Sequence, residues 1–376
     1  MLLEQAAEQY IKAHFNDPID QPTYAYLRAL QKMVNDTPES RGFIGVLVLG
    51  YGASGTASLY INVDRHGNVR ERRVKKMAQL EPIDWMKAHD QLDDIAEVRI
   101  MDRLLYRSNY IVNMLHARTF SNLTRLSLEM EYAPLGTLRG LMTQYSIHGE
   151  NIPELFLWYV FECLAKAALV MHQGSETTVD PQWTKEIIHC DRAPQNVVLD
   201  VPDPNYMNTY PIAKLIDWNS LETNAADPGN PGRWRFLTFG TPGFCPREFY
   251  RIPGAPTPDG QQLGSHTNVY QIAAVIFWAM RPSHFANEYV PKQCDYHTVA
   301  TERPRRFPVT PTPYTNTLDN LVWSCLNPVA ALRPTVQQIL AQCRAILGPM
   351  AVLQAGHPVR HLPMQTWDVG ATVYKY

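Results

Sequence analysis

The chain of 376 residues has only six cysteines, Cys163, Cys190, Cys245, Cys294, Cys325 and Cys343, and no two of them form a C-x-x-C pair. That spacing argues against a zinc ribbon, a redox dithiol or a disulfide framework, and fits a reducing compartment. Charge of one sign is also missing. Lysine and arginine number 34 against 36 aspartates and glutamates, so no overall field would gather nucleic acid or an acidic membrane surface. The N-terminal stretch MLLEQAAEQYIKAHF mixes acids with apolar residues and lacks both a basic start and a long apolar run, so it is not expected to act as a signal peptide. Long hydrophobic runs are in short supply elsewhere too: VYQIAAVIFWAM, the longest candidate, falls well below the roughly 20 residues a bilayer needs and reads as a buried helix. Neither nucleic acid nor membrane is expected as a partner, and the expected location is cytoplasmic or nuclear.

What is present centres on IIHCDRAPQNVVLD, Ile187 to Asp200. It sets Asp191 and Asn196 on one short loop between apolar runs, a spacing that lets an acid accept a hydroxyl proton beside an amide that helps hold a metal ion. KLIDWN offers a second acid, Asp217, at the end of another strand-like run. Upstream, GFIGVLVLGYGASGTASLYINVDRHGNVRERRVKKM alternates strand-like runs around a turn holding Gly50, Gly52 and Gly55. Glycines there let a backbone approach phosphate oxygens without a Cβ clash. Lys75 and Lys76 come on the third run, where alternation sends neighbouring side chains to opposite faces. The register with Val74 facing away directs Lys75 inward. QLDDIAEVRIMDRLL has helical spacing at Ile95, Val98, Met101 and Leu105, with Glu97 beside the stripe. Residues before about Ser40 show helical spacing at Leu2, Leu3, Ala6, Tyr10 and Ile11, then at Tyr24, Leu27, Leu30 and Met33, and are expected to pack on the neighbouring strand-rich lobe. SLETNAADPGNPGRWRFLTF, Ser220 to Phe239, is polar and aperiodic and reads as a loop. It ends in FGTPGFCPREFY, and a late NPVAALRPT supplies Arg333.

Over roughly residues 43–347 these motifs, in this order, resemble the protein kinase family, whose catalytic loop reads H-R-D-x-x-x-x-N and whose metal-binding acid opens D-F-G. The resemblance implies an α+β, two-lobed fold, with a small antiparallel-sheet lobe carrying one helix and a larger, mainly helical lobe. Its divisions are a helical extension 1–40, lobes 41–133 and 134–348, and an extended tail 349–376. It implies ATP under Gly50, Gly52, Ala53, Ser54, Gly55 and Ala57, with its phosphates on Lys75 and the adenine at Met130, Glu131 and Ala133. Mg2+ would sit on Asn196 and Asp217. Asp191 would orient a substrate hydroxyl, Glu97 would pair with Lys75, and Arg192 and Thr241 complete the catalytic set. Glu248 is expected to pair with Arg333, and Asn268 stands where the family has an aspartate bracing the catalytic loop. The chain departs from the family at Cys190, Ala193, Asn219 and Arg247. The expected activity is phosphoryl transfer from ATP to serine or threonine hydroxyls of protein substrates, favoured over small molecules by the GTPGFCPRE segment. The alternative is a pseudokinase, a nucleotide-binding or scaffold module.

Overall fold

In the computed structural model, the described residues are 42–52, 55–64, 68–80, 95–120, 125–218, 221–223, 241, 243–249, 263–281, 313–353 and 359–360. The extension 1–40, Ala53 and Ser54, Asn219, most of the loop after Ser220 and most of the tail 349–376 lie outside them.

The chain is α+β and divides into two compact units, the first made of Met1–Asp102, Val112–Pro134 and Met364–Tyr376. Five strands form its sheet: β1 (Phe43–Gly52), β2 (Gly55–Val63), β3 (Val69–Gln79), β4 (Met114–Phe120) and β5 (Arg125–Glu131). They pair antiparallel throughout in the order β1-β2-β3-β5-β4. Apolar residues at alternate positions gather on one face, where Val46, Leu59, Ile61, Val63 and Tyr132 form a core against which Leu47, Val69 and Val74 pack. The hairpin between β1 and β2 requires glycine at Gly55: its φ is +123°, and a Cβ there would stand 2.1 Å from the Met77 carbonyl oxygen. Helix α1 (Ala96–Leu104) comes after β3 and buries Val98, Met101 and Leu104, so Leu104 rather than the expected Leu105 completes the stripe.

The second unit, Arg103–Ile111 with Leu135–Pro363, is mainly helical. Helix α2 (Leu138–His148) starts on Thr137, whose hydroxyl accepts the Gly140 N–H at 3.1 Å, and stops at Gly149 in the left-handed region. Helix α3 (Glu154–Gln173) is apolar around most of its circumference and almost wholly buried, packing on α4 (Ser265–Ala279) and α6 (Val336–Leu353). By length and hydropathy α3, not VYQIAAVIFWAM, is the described helix able to span a membrane, yet 83 % of its apolar window is buried inside the protein. Helix α5 (Asn316–Cys325) lies on α4. Two short antiparallel pairs complete the unit: β6 (Glu186–Ile188) with β9 (Leu221–Thr223), and β7 (Val197–Asp200) with β8 (Ile212–Leu215). Strand β9 lies in a stretch expected to be aperiodic loop; its partner β6 supplies the order that composition does not reveal. Helix α6 runs through Pro349 to Leu353, so the expected boundary at Pro349 falls inside a helix.

Between α3 and β6 an insert folds onto the end of α1. Trp183 donates its indole N–H to the Met171 carbonyl at 3.1 Å. The Arg103 guanidinium lies 4.1 Å and that of Arg107 5.0 Å from the Trp183 ring centre. Arg107 also donates to Asp180 Oδ2 at 2.8 Å and to the Gly174 carbonyl at 2.9 Å, and Arg103 donates to the Lys185 carbonyl at 3.3 Å.

Candidate active site

Leaving β6, the chain passes His189 and then Cys190, whose φ of +61° turns the backbone so that Asp191 and the residues beyond close a tight loop into β7. A single 3-10 turn, Pro194–Asn196, shapes that loop, with Pro194 pre-setting its first position. Asn196 donates from Nδ2 to Asp191 Oδ2 at 3.1 Å and to the Asp191 carbonyl at 2.8 Å. Both acceptors can only receive, which fixes the amide orientation, and Asn196 Oδ1 has no hydrogen bond among the described residues. The other carboxylate oxygen, Asp191 Oδ1, accepts the Thr241 backbone N–H at 2.8 Å and the Thr241 hydroxyl at 2.7 Å. Gln195 in turn donates to Thr241 Oγ1 at 3.0 Å.

Asp217 is carried to the same loop by backbone bonds. The Ile216 N–H donates to the Asn196 carbonyl at 3.1 Å, and His189 Nε2 donates to the Ile216 carbonyl at 2.9 Å. Asp217 itself has a φ of +62°. His189 is fully buried with its ring 4.8 Å from that of Trp218, and burial, reinforced by the charge of Arg192, pushes its pKa down to about 3. It is therefore a neutral positioning group. Asn268, on α4, accepts the His189 backbone N–H at 3.2 Å and donates to the Ile187 carbonyl at 2.9 Å, so the amide braces the loop from both sides of β6's end.

Arg192 requires a correction. Expected in the catalytic set beside Asp191, it is fully buried, donating from Nη1 to the Asn268 carbonyl at 3.1 Å and from Nη2 to Met171 Sδ at 2.8 Å. Asp191 turns toward Thr241 and Asn196; the next side chain turns inward. Burial lowers the Arg192 pKa, and no carboxylate partners it among the described residues. Ala193 is buried as well, and Cys190 packs with Cys245, Phe249 and Leu263. The expected Glu248–Arg333 pair is present and bidentate, at 2.6 and 2.9 Å, with both side chains fully buried.

In the first unit the expected pairing is corrected by one residue. Glu97 Oε1 lies 2.7 Å from Lys76 Nζ, whereas Lys75 Nζ lies 2.7 Å from Glu129 Oε1. The reason is the register of β3: Val74 packs into the sheet core, and Lys76, two residues on, shares its face. Lys76, not Lys75, is thus the lysine paired with Glu97, and the apolar neighbour at Val74 is the signal that marks its face. Met130 is buried at the end of β5 opposite Val74, and the Glu131 N–H donates to the Asn113 carbonyl at 3.1 Å. The Ala133 backbone takes no partner among the described residues. A Cβ at Gly50 would meet nothing within 4 Å, so that side of the hairpin is open, and Ala57 lies opposite Gly50 in the pairing.

No family model matches the chain. Over 195 residues it is 26 % identical to a G-type lectin S-receptor-like serine/threonine-protein kinase of Oryza sativa subsp. indica, covering 49 % of this chain and 20 % of that protein. The chain thus spans about a fifth of that relative's length.

Proposed function

We propose that the chain is an ATP-dependent protein kinase that passes the γ-phosphate to serine or threonine hydroxyls of protein substrates. The observation that carries this reading is Asp191: one carboxylate oxygen takes two donors from Thr241 and the other takes the Asn196 amide. A carboxylate so held is preorganised to receive a hydroxyl and orient it in line with a phosphoryl group. Similarity to a serine/threonine-protein kinase across 49 % of the chain supports the same class.

The donor set fits a magnesium nucleotide. Asn196 Oδ1 and the Asp217 carboxylate are hard oxygen donors, few in number, as suits an ion that keeps several waters and takes its other ligands from phosphate. When bound, that ion would draw charge from the phosphate oxygens. The chain's own groups do the rest: Asn196 fixes Asp191, Asp191 orients the acceptor hydroxyl, and Lys76, held by Glu97, supplies the cation for the nucleotide phosphates. The test is transfer of labelled phosphate to generic protein substrates by wild type and Asp191→Asn, read beside a thermal shift with Mg-ATP. Transfer lost in the variant while the Mg-ATP shift persists supports the reading.

One observation favours a second reading, a pseudokinase. Arg192 and Ala193 are both buried, so the residues directly after Asp191 present no cation to a transferred phosphate. An Mg-ATP shift without any transfer, in wild type, would establish this alternative.

A further inference from the structure

A sheet face turned to water should leave its side chains largely exposed. In the first unit, helix α1 is tied by Lys76–Glu97 to the face that holds the apolar core, and the other face carries Ser58, Tyr60, Lys75, Ser127 and Glu129. Yet these five are between 0 and 4 % exposed, and among the described residues of the unit no helix packs on them. The Lys75–Glu129 ion pair, the Lys75 ammonium 5.1 Å from the Tyr60 ring centre, and the buried Ser58 hydroxyl are arrangements of a covered surface. Charges are sequestered in this way only where something keeps water off both partners.

We infer that this face is a docking surface and that its occupant is the chain's own residues 1–41. The point of entry supports this. Gly42, at φ +86°, turns the chain beside the Asn62 side chain, and Phe43, the first residue of β1, lies on this same face with Tyr60 and under the Arg73 guanidinium at 4.5 Å. Chemistry supports it too, because Leu2, Leu3, Tyr10 and Ile11, then Tyr24, Leu27, Leu30 and Met33, recur at helical spacing. Apolar stripes of that kind suit a floor of aromatic rings and a neutralised ion pair. The reach would suffice: a stretch of about 13 residues, if helical as the spacing predicts, extends roughly 20 Å, a large part of a strand of this sheet. The rival segment 81–94 joins Leu80 to Ile95 and so leads into α1, which is held to the opposite face. The docking does not depend on the chain being a kinase.

The test places a reporter on the floor. Ser58→Cys in the full chain is treated with a maleimide, and modification at position 58 is followed by peptide mass. Slow labelling is expected in the full chain, and labelling at least about tenfold faster in a chain starting at Gly42. Should that shortened chain fail to fold, Leu27→Asp with Leu30→Asp in the full-length Ser58→Cys protein is expected to raise the rate similarly, with circular dichroism confirming that the sheet persists. Protection that survives in either folded variant overturns the inference. So does labelling released instead by deleting 361–376, or protection that vanishes on dilution, which would assign the face to the tail or to a second copy of the chain.

Discussion

Lys76 Nζ lies 2.7 Å from Glu97 Oε1, while Lys75, its neighbour in β3, turns the other way to Glu129. Two adjacent lysines thus have separate tasks, one bound to helix α1 and one built into the far face of the sheet. Lys76→Met is expected to reduce phosphate transfer on the order of 100-fold or more in the folded fraction, and to cost about 1–3 kcal/mol because the mostly buried Glu97 carboxylate loses its cation. Lys75→Met is expected to spare transfer in the folded fraction and to lower stability by about 1–3 kcal/mol, because Glu129 stays buried with Arg73 as its remaining cation. Transfer assays beside urea unfolding separate the two. The reverse pattern would restore the register in which Lys75 faces inward.

Thr241 holds Asp191 through two donors, of which only the hydroxyl is removable. Thr241→Val should lower kcat about 10-fold or more while costing about 1 kcal/mol of stability, and Thr241→Ser should retain most activity. Loss in Thr241→Ser with activity kept in Thr241→Val would mean that the methyl group, not the hydroxyl, matters.

Arg192 sits in the interior with a backbone carbonyl and a thioether sulfur as its hydrogen-bond partners. Arg192→Leu is expected to leave the protein as stable or more stable by up to about 3 kcal/mol, since a well-packed apolar side chain avoids the desolvation of the cation. Transfer should change less than about threefold. A tenfold loss of transfer with stability intact would return Arg192 to the catalytic machinery.

Acid stability tests His189. Its pKa in the folded protein is pushed down to about 3, whereas the unfolded imidazole titrates near 6.5. Above that value neither state is protonated and the residue contributes nothing to the pH dependence. Below it the unfolded chain takes up the proton first, so stability falls as pH drops, by up to about 1.4 kcal/mol per pH unit. His189→Gln removes the titration. The stability gap between wild type and variant at pH 7 should therefore shrink by pH 5, as read from urea midpoints. A gap constant over that range would show that His189 is not held neutral.

How far the sequence could be read depended on whether a contact left a pattern. Asp191 with Asn196, and Glu248 with Arg333, were legible because fixed motifs name both partners, even when Arg333 stands far along the chain. The first three antiparallel strands came from alternation and turn glycines, whereas the α+β class rested on the family resemblance. The register of β3 was not legible, because Arg72, Arg73, Lys75 and Lys76 put charge on both faces and erase the apolar-polar contrast that sets register. Arg192 misled for a different reason: the resemblance put it in the catalytic set because it follows Asp191, and an arginine buried without an acid is rare enough that nothing in the motif signals it. Strand β9 escaped notice because three residues carry too little periodicity to register.

The insert around Trp183 gathers two cations on one ring. Arg103, in the last turn of α1, and Arg107, just beyond it, both lie against the indole, while Asp180 takes only Arg107. Two like charges brought this close repel each other, and the negative π face between them, with one carboxylate, offsets that repulsion. An aromatic ring thus does at this helix end what a pair of acids would do elsewhere, and it does so at any pH.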